Sequence, residues 1–247
     1  MCIRDSLSNL PSSCTEANLC WDITDSESIY PVYHYLVQNE TDTTKYDAYI
    51  VSEEKIYAPK DSSGMFEICG EESGSYVSYV ENINFNNNFD TSKVTNMYAM
   101  FAVLTHLKSV DVINFNTVNV TNMSQLFYGC KSLTEIDVSS FDTSKVTNMS
   151  WMFGVCSSLI SLDLSNFNTS NVTNMQAMLN RNFKLTNVNL SSFNTSKVTT
   201  MLSMFQGSAA LETLDLSSFD TSNVTNMRAM FLSLIHISEP TRRRGIS

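Results

Sequence analysis

An α/β solenoid is the fold class this 247-residue sequence predicts, and three observations predict it. A phenylalanine recurs every 26 residues, at Phe89, Phe115, Phe141, Phe167, Phe193 and Phe219. Each opens a near-copy of F-[DN]-T-S-[KN]-V-T-N-M-x-x-M-F, as in FDTSKVTNMSWMF from Phe141. Between copies the apolar period changes from helix-like to strand-like. A fixed period of this size marks supersecondary units that bury their apolar faces only by stacking on one another.

Residues 141–166 show how one unit is read. Leu159-Ile-Ser-Leu162-Asp-Leu164 fits L-x-x-L-x-L, the strand core of a leucine-rich repeat. Alternation sends Leu162 and Leu164 inward and Ser161, Asp163 and Ser165 outward. Thr147 is placed to cap a short helix. Met149, Met152, Phe153 and Cys156 then fall at i, i+3, i+4 and i+7, one helical face. The expected rung is therefore a parallel strand plus a short helix, in a leucine-rich-repeat solenoid. Eleven of the thirteen Met residues occupy the two helical columns, which marks them as core filling. Where many such repeats place an inward Asn, this chain has Phe. The next residue (Asp90, Asn116, Asp142, Asn168, Asn194 or Asp220) or the Thr after it must then satisfy the turn backbone.

A divergent first repeat is expected over 61–88, with Met65-Phe66 as its helical pair and an insertion at 70–78. Residues 7–60 hold an acidic region and β-hairpin material from Ile29 to Pro59, suited to capping the core. Residues 89–231 carry five full repeats and one truncated, whose apolar edge should be exposed and promote association. Residues 1–6 (MCIRDS) and 232–247 (opening LSLIHISEPTR) resemble translated sequencing-adapter DNA in opposite orientations. They are set aside from fold reasoning.

The net charge of −10 is uneven. Residues 7–88 hold fourteen acidic and three basic side chains; residues 89–231 hold nine and eight. A basic stripe, the footprint of phosphate binding, is missing. No apolar run reaches transmembrane length. Cys130 and Cys156 sit in the repeat frame and read as buried thiols, with a disulfide between rungs as the alternative. Cys14 and Cys20 fit a disulfide or two thiols equally. Nine N-x-[ST] sequons (Asn39, Asn119, Asn122, Asn148, Asn168, Asn171, Asn189, Asn194, Asn223) arise from a Ser/Thr/Asn-rich repeat and are not read as glycosylation sites.

Two outward columns stand out. Asn84, Asp111, Asp137, Asp163, Asn189 and Asp215 line the strand face and form the candidate ligand-facing column. Stacked about 4.8 Å apart, like charges repel. A solvated ladder with raised pKa values is the plain expectation, and binding of a cation or basic partner the sharper one. Lys93, Asn119, Lys145, Asn171, Lys197 and Asn223 alternate charge with amide, which reads as structural. His34 and His106 lie in unlike contexts, and there is no Ser-His-Asp elbow, phosphate loop or metal-ligand spacing. No catalytic, cofactor or metal residue is assigned.

The unit F-[DN]-T-S-x-V-T-N-M-x-x-M-F…L-x-x-L-[DN]-L-S resembles the BspA-like leucine-rich repeat family of bacterial surface proteins and lipoproteins. The likeness covers roughly residues 29–231 and includes Tyr30-Pro-Val-Tyr33, Ser52-Glu-Glu-Lys-Ile-Tyr57 and Asp61-Ser-Ser-Gly-Met-Phe66. It implies secretion or surface display, and adhesin-like binding of host or neighbouring-cell ligands without catalysis. The alternatives are a structural spacer displaying a further domain, or the targeting module of a secreted enzyme.

Overall fold

A computed structural model of the chain describes residues 55–66, 80–85 and 88–234 in full, and the strand backbones within 1–54. Strands β1 (Cys2–Arg4), β2 (Cys20–Asp22), β3 (Tyr33–Gln38) and β4 (Tyr46–Val51) form one sheet in the order β1-β4-β3-β2. The expected hairpin is its centre: β3 and β4 pair antiparallel from Tyr33↔Val51 to Gln38↔Tyr46. Its side chains, and with them the expected cap over the core, lie outside the described residues. So do the thiols of Cys14 and Cys20 and the 70–78 insertion. Cys2–Arg4, set aside on sequence grounds, runs parallel to β4 as an edge strand.

Three two-stranded parallel pairs come next along the chain. Strand β5 (Ile56–Tyr57) pairs with β7 (Phe89–Asp90), β6 (Asn82–Ile83) with β8 (Ser109–Val110), and β9 (Ser161–Asp163) with β10 (Asn187–Asn189). A chain of parallel bridges runs beside them: Asp61, Asn96, Asn122, Asn148, Asn174, Thr200 and Asn226. From Asn96 on the step is one repeat; from Asp61 to Asn96 it is a repeat plus the nine-residue insertion.

The expected rung of strand plus short helix is not found. The described residues contain no helix, and within the repeats the strands are short, separate pairs. The segment read as helical is a run of tight turns. In residues 149–155 the backbone N–H groups of Met149, Trp151, Phe153 and Val155 donate to the carbonyls of Asn174, Gln176, Met178 and Asn180 in the next repeat, at 2.7–3.0 Å. A helix would spend those donors within its own turns. Between them Met152 and Gly154 donate to the carbonyls three residues earlier, at 3.2 and 2.9 Å. Thr147 is no helix cap: its N–H and its hydroxyl both donate to the Thr121 carbonyl.

Spacing explains why the turns win. The phenyl rings of Phe101 and Phe127 stack with centroids 5.5 Å apart, and those of Phe127 and Phe153 5.6 Å apart. Neighbouring helix axes need about 8–10 Å, whereas hydrogen-bonded strands sit about 4.8 Å apart. A repeat whose two flanks are both closed by hydrogen bonds between repeats keeps the short spacing on each side. The side-chain destinations survive this exchange. Met149, Met152, Phe153 and Cys156 are fully buried, as are Val146, Leu159 and Leu164. Phe66 joins the same column, stacked on Phe101 at 5.3 Å, so the divergent first repeat is in register there, although Met65 is exposed.

The turns require left-handed residues at two places per repeat. One column is Ala99, Gln125, Trp151, Ala177, Ser203 and Ala229; the other is Val103, Gly129, Val155, Arg181, Gly207 and Ser233. Glycine fits the second column without strain, and Gly129 and Gly207 stand there at φ 75° and 78°. Val155, at φ 61°, is β-branched in a region that costs such a residue about 1–3 kcal/mol. Val155→Gly should therefore raise stability by about 1 kcal/mol after the entropic cost of glycine, read as a higher urea midpoint.

Polar columns hold the corners. Asp142, Asn148 and Asp163 each accept the N–H two residues on, from Ser144, Ser150 and Ser165, so each repeat has three such turns. Inside, Thr91, Thr143, Thr169 and Thr195 are buried, and each hydroxyl both donates to the carbonyl and accepts from the N–H of one residue in the next repeat. The Asp/Asn and Thr positions thus do the work expected of them. Cys130 and Cys156 are free and buried, their thiols donating to the carbonyls of Phe101 and Phe127. Burial pushes the Cys156 thiol up to about 12.

Candidate functional site

The strand-face column projects outward as expected. Asn84, Asp111, Asp137, Asp163 and Asp215 are exposed and Asn189 is half-buried. Pairing brings Asp163 opposite Asn189. Elsewhere the sheet is interrupted. Residues 133–138 form no strand between β8 and β9, and a groove of about 590 Å³ opens there. Asp137 and Asp163 face it together with Glu135, Ser109, Ser161 and Asn166.

Sequence reasoning missed Glu135, Ser109 and Asn166. The outward frame that marked Asp137 also marked Glu135, two residues earlier. The missing signal was the lapse in pairing, which depends on three neighbouring segments at once. Asn166 braces the groove wall, its Nδ2 donating to the carbonyls of Val138, Ser139 and Phe141 at 3.1–3.2 Å.

The electrostatics reverse one expectation. The carboxyls of Asp137, Asp163 and Asp215 are held below the usual 3.8, not raised. For Asp137 the largest cause is the Ser139 hydroxyl, then the Ser139 N–H; for Asp163 and Asp215 it is the N–H of Ser165 and Ser217. Oδ1 of each accepts that N–H at 2.9 Å. Hydrogen bonds to the ionised form outweigh repulsion between exposed carboxylates screened by water. Asn189 makes the same bond with its amide oxygen, accepting from Ser191 at 3.2 Å. The column is first a set of turn locks, and one oxygen of each carboxylate stays clear of that bond.

These locks set a pH dependence. A carboxyl lowered on folding contributes stability that is complete above its unfolded pKa, about 3.9, and is lost as pH falls through the folded value. Stability should therefore hold from neutral pH down to about 4 and decline below it. Carbon-detected NMR titration of Asp137 and Asp163 should give values under 3.8.

The second column is structural, as expected. Lys145 Nζ donates to Asn119 Oδ1 at 2.9 Å and Lys197 Nζ to Asn171 Oδ1 at 2.7 Å, each one repeat back. Asn171 and Asn223 in turn donate to the Ser144 and Ser196 carbonyls. The alternation is a Lys-to-Asn clasp.

Among the described residues no three His, Cys, Asp or Glu side chains gather to hold a metal ion, so the cation reading of the acidic column finds no cluster. No described helix is long and apolar enough to cross a membrane. The site is an open, acidic, serine-lined groove on a repetitive scaffold. No curated protein and no solved structure matches the chain significantly. The scaffold does have a family: a model described as "Mycoplasma protein of unknown function, DUF285" matches residues 60–179 and 155–243, which together span the 26-residue repeats. The chain belongs to that family.

Proposed function

We propose that this chain is a non-enzymatic, BspA-like repeat protein of the bacterial surface or secreted space, which binds protein or cell-surface ligands across its strand face. The observation that carries the reading is the groove between β8 and β9, where Glu135, Asp137 and Asp163 stand among serines. An open acidic groove suits an extended segment carrying Lys or Arg, held by charge and by side-chain hydrogen bonds. Host matrix proteins and neighbouring-cell proteins are the ligand class proposed.

Asp137→Asn with Asp163→Asn tests it cleanly. Asn189 already serves as the turn lock one repeat on, so the double variant should keep its fold. Binding to a panel of matrix proteins and whole cells should fall at least tenfold, with a shallower salt dependence. Unchanged binding would remove the groove from the proposal, and no binding by the parent chain across the panel would favour the spacer reading.

A further inference from the structure

On the flank built by the turn runs, which contributes nothing to the acidic groove, one repeat departs from its neighbours. Trp151 stands in a left-handed column whose other members are Ala99, Gln125, Ala177, Ser203 and Ala229. A bulky residue at φ 59° is a backbone outlier. The core is filled beside it by Met152 and Phe153, and the indole itself stays half-buried at the surface. The neighbouring column makes room for it. Its members are Ala102, Tyr128, Gly154, Asn180 and Gln206, with glycine only at 154. A Cβ on Gly154 would come within 2.8 Å of Trp151 Cε3 and 3.3 Å of the Ala177 carbonyl. Tyr128, one repeat back, meets the indole edge to face, with centroids 5.5 Å apart and ring planes at 88°. Strain that the surroundings hold in place at a surface side chain points to a use for that side chain.

The platform is surrounded by amides. Across the turn runs 97–103, 123–129, 149–155, 175–181 and 201–207, Arg181 is the only charged residue, and its stem lies against Gly207. Gln125 precedes Trp151 in its own column. Asn180 follows Gly154; its Nδ2 donates to the Ser203 carbonyl and to Gln206 Oε1, both at 3.3 Å, while its Oδ1 is buried without a donor. Such an orphan acceptor takes its donor from outside the chain.

We propose that the Trp151 platform is a binding site for a neutral glycan, separate from the acidic groove. A pyranose ring carries C–H groups on one face and hydroxyls around its rim. The indole supplies rigid apolar area for the first. The Gln and Asn amides, each with donors and an acceptor, match hydroxyls that both donate and accept. Phosphate or carboxylate ligands would call for Arg or Lys beside the ring, and the turn runs next to Trp151 carry neither.

The test uses the full chain on an array of immobilised neutral and sialylated glycans, followed by solution titration with cellohexaose, chitohexaose and mannohexaose. Neutral glycans should bind, and with Trp21→Phe leaving Trp151 as sole reporter, at least one hexasaccharide should shift its emission to the blue. Trp151→Ala should keep the fold, because alanine already stands at 99, 177 and 229 in this column, yet weaken binding by about tenfold or more. Gln125→Ala should weaken it in the same direction. Asp137→Asn with Asp163→Asn should leave glycan binding unchanged; a loss there would put the glycan in the groove and overturn the assignment. Equal binding by Trp151→Ala, binding confined to sialylated glycans, or no binding to any neutral glycan would overturn it as well.

Discussion

Phe153→Ala lowers the free energy of unfolding by about 3–5 kcal/mol, the range for removing a fully buried phenylalanine. The ring is completely buried and stacked 5.6 Å from Phe127, in a column that begins at Phe66. The loss comprises transfer of the ring to water, the cavity left behind, and the stacking term. Collapse is restrained because Phe153 N–H is tied to Met178 and its neighbours are tied to the adjacent repeats. Stability in a stack is close to a sum over repeats and their contacts, so a central lesion also uncouples the two sides. The urea transition should shift down and broaden, with Trp151 fluorescence reporting the affected repeat. Phe153→Leu should cost much less, because the next repeat already carries Leu179, also fully buried, at this position. A small effect of Phe153→Ala, under about 1 kcal/mol, would mean the column is not packed as described.

The same residue shows how far the sequence can be read. The spacing of Met149, Met152, Phe153 and Cys156 correctly names four core residues, because the repeat buries every position that recurs as apolar. It misnames their backbone. A run with i, i+3, i+4, i+7 spacing is satisfied by a helix or by consecutive turns, and periodicity cannot tell where the N–H groups go. The deciding quantity is the distance to the next copy of the same segment, which no single repeat contains. The cue that was present is local: left-handed positions recur every 26 residues, and two are filled by Gly129 and Gly207. A glycine within an expected helix weakens that helix. The strand-face column was legible as outward. Its lowered carboxyl pKa values were not foreseen, because the D-x-S spacing that creates the turn lock was read only as alternation. The groove was beyond reach, since it depends on where pairing lapses.

Thr169→Val is the second large effect, and shape cannot explain it. Valine nearly matches threonine in volume, and Thr169 is fully buried, so packing is almost unchanged. What goes is one oxygen with two tasks. Thr169 Oγ1 accepts the Asn194 N–H at 2.8 Å and donates to the Asn194 carbonyl at 2.9 Å. Removing it leaves both backbone groups of the exposed Asn194 without that partner in a part-buried position, each at the lower end of the about 1–3 kcal/mol of a buried unsatisfied group. A loss of about 2 kcal/mol is expected, with an unchanged m-value if the turn keeps its shape. Thr169→Ser, which keeps the hydroxyl and gives up a methyl, should cost about 1 kcal/mol. The order Thr, Ser, Val by urea midpoint therefore puts valine last, where apolar burial alone would put it first. If valine proved more stable than serine, the threonine column would be packing and not a hydrogen-bond ladder. The stack would then owe its register to the phenylalanine and methionine columns alone.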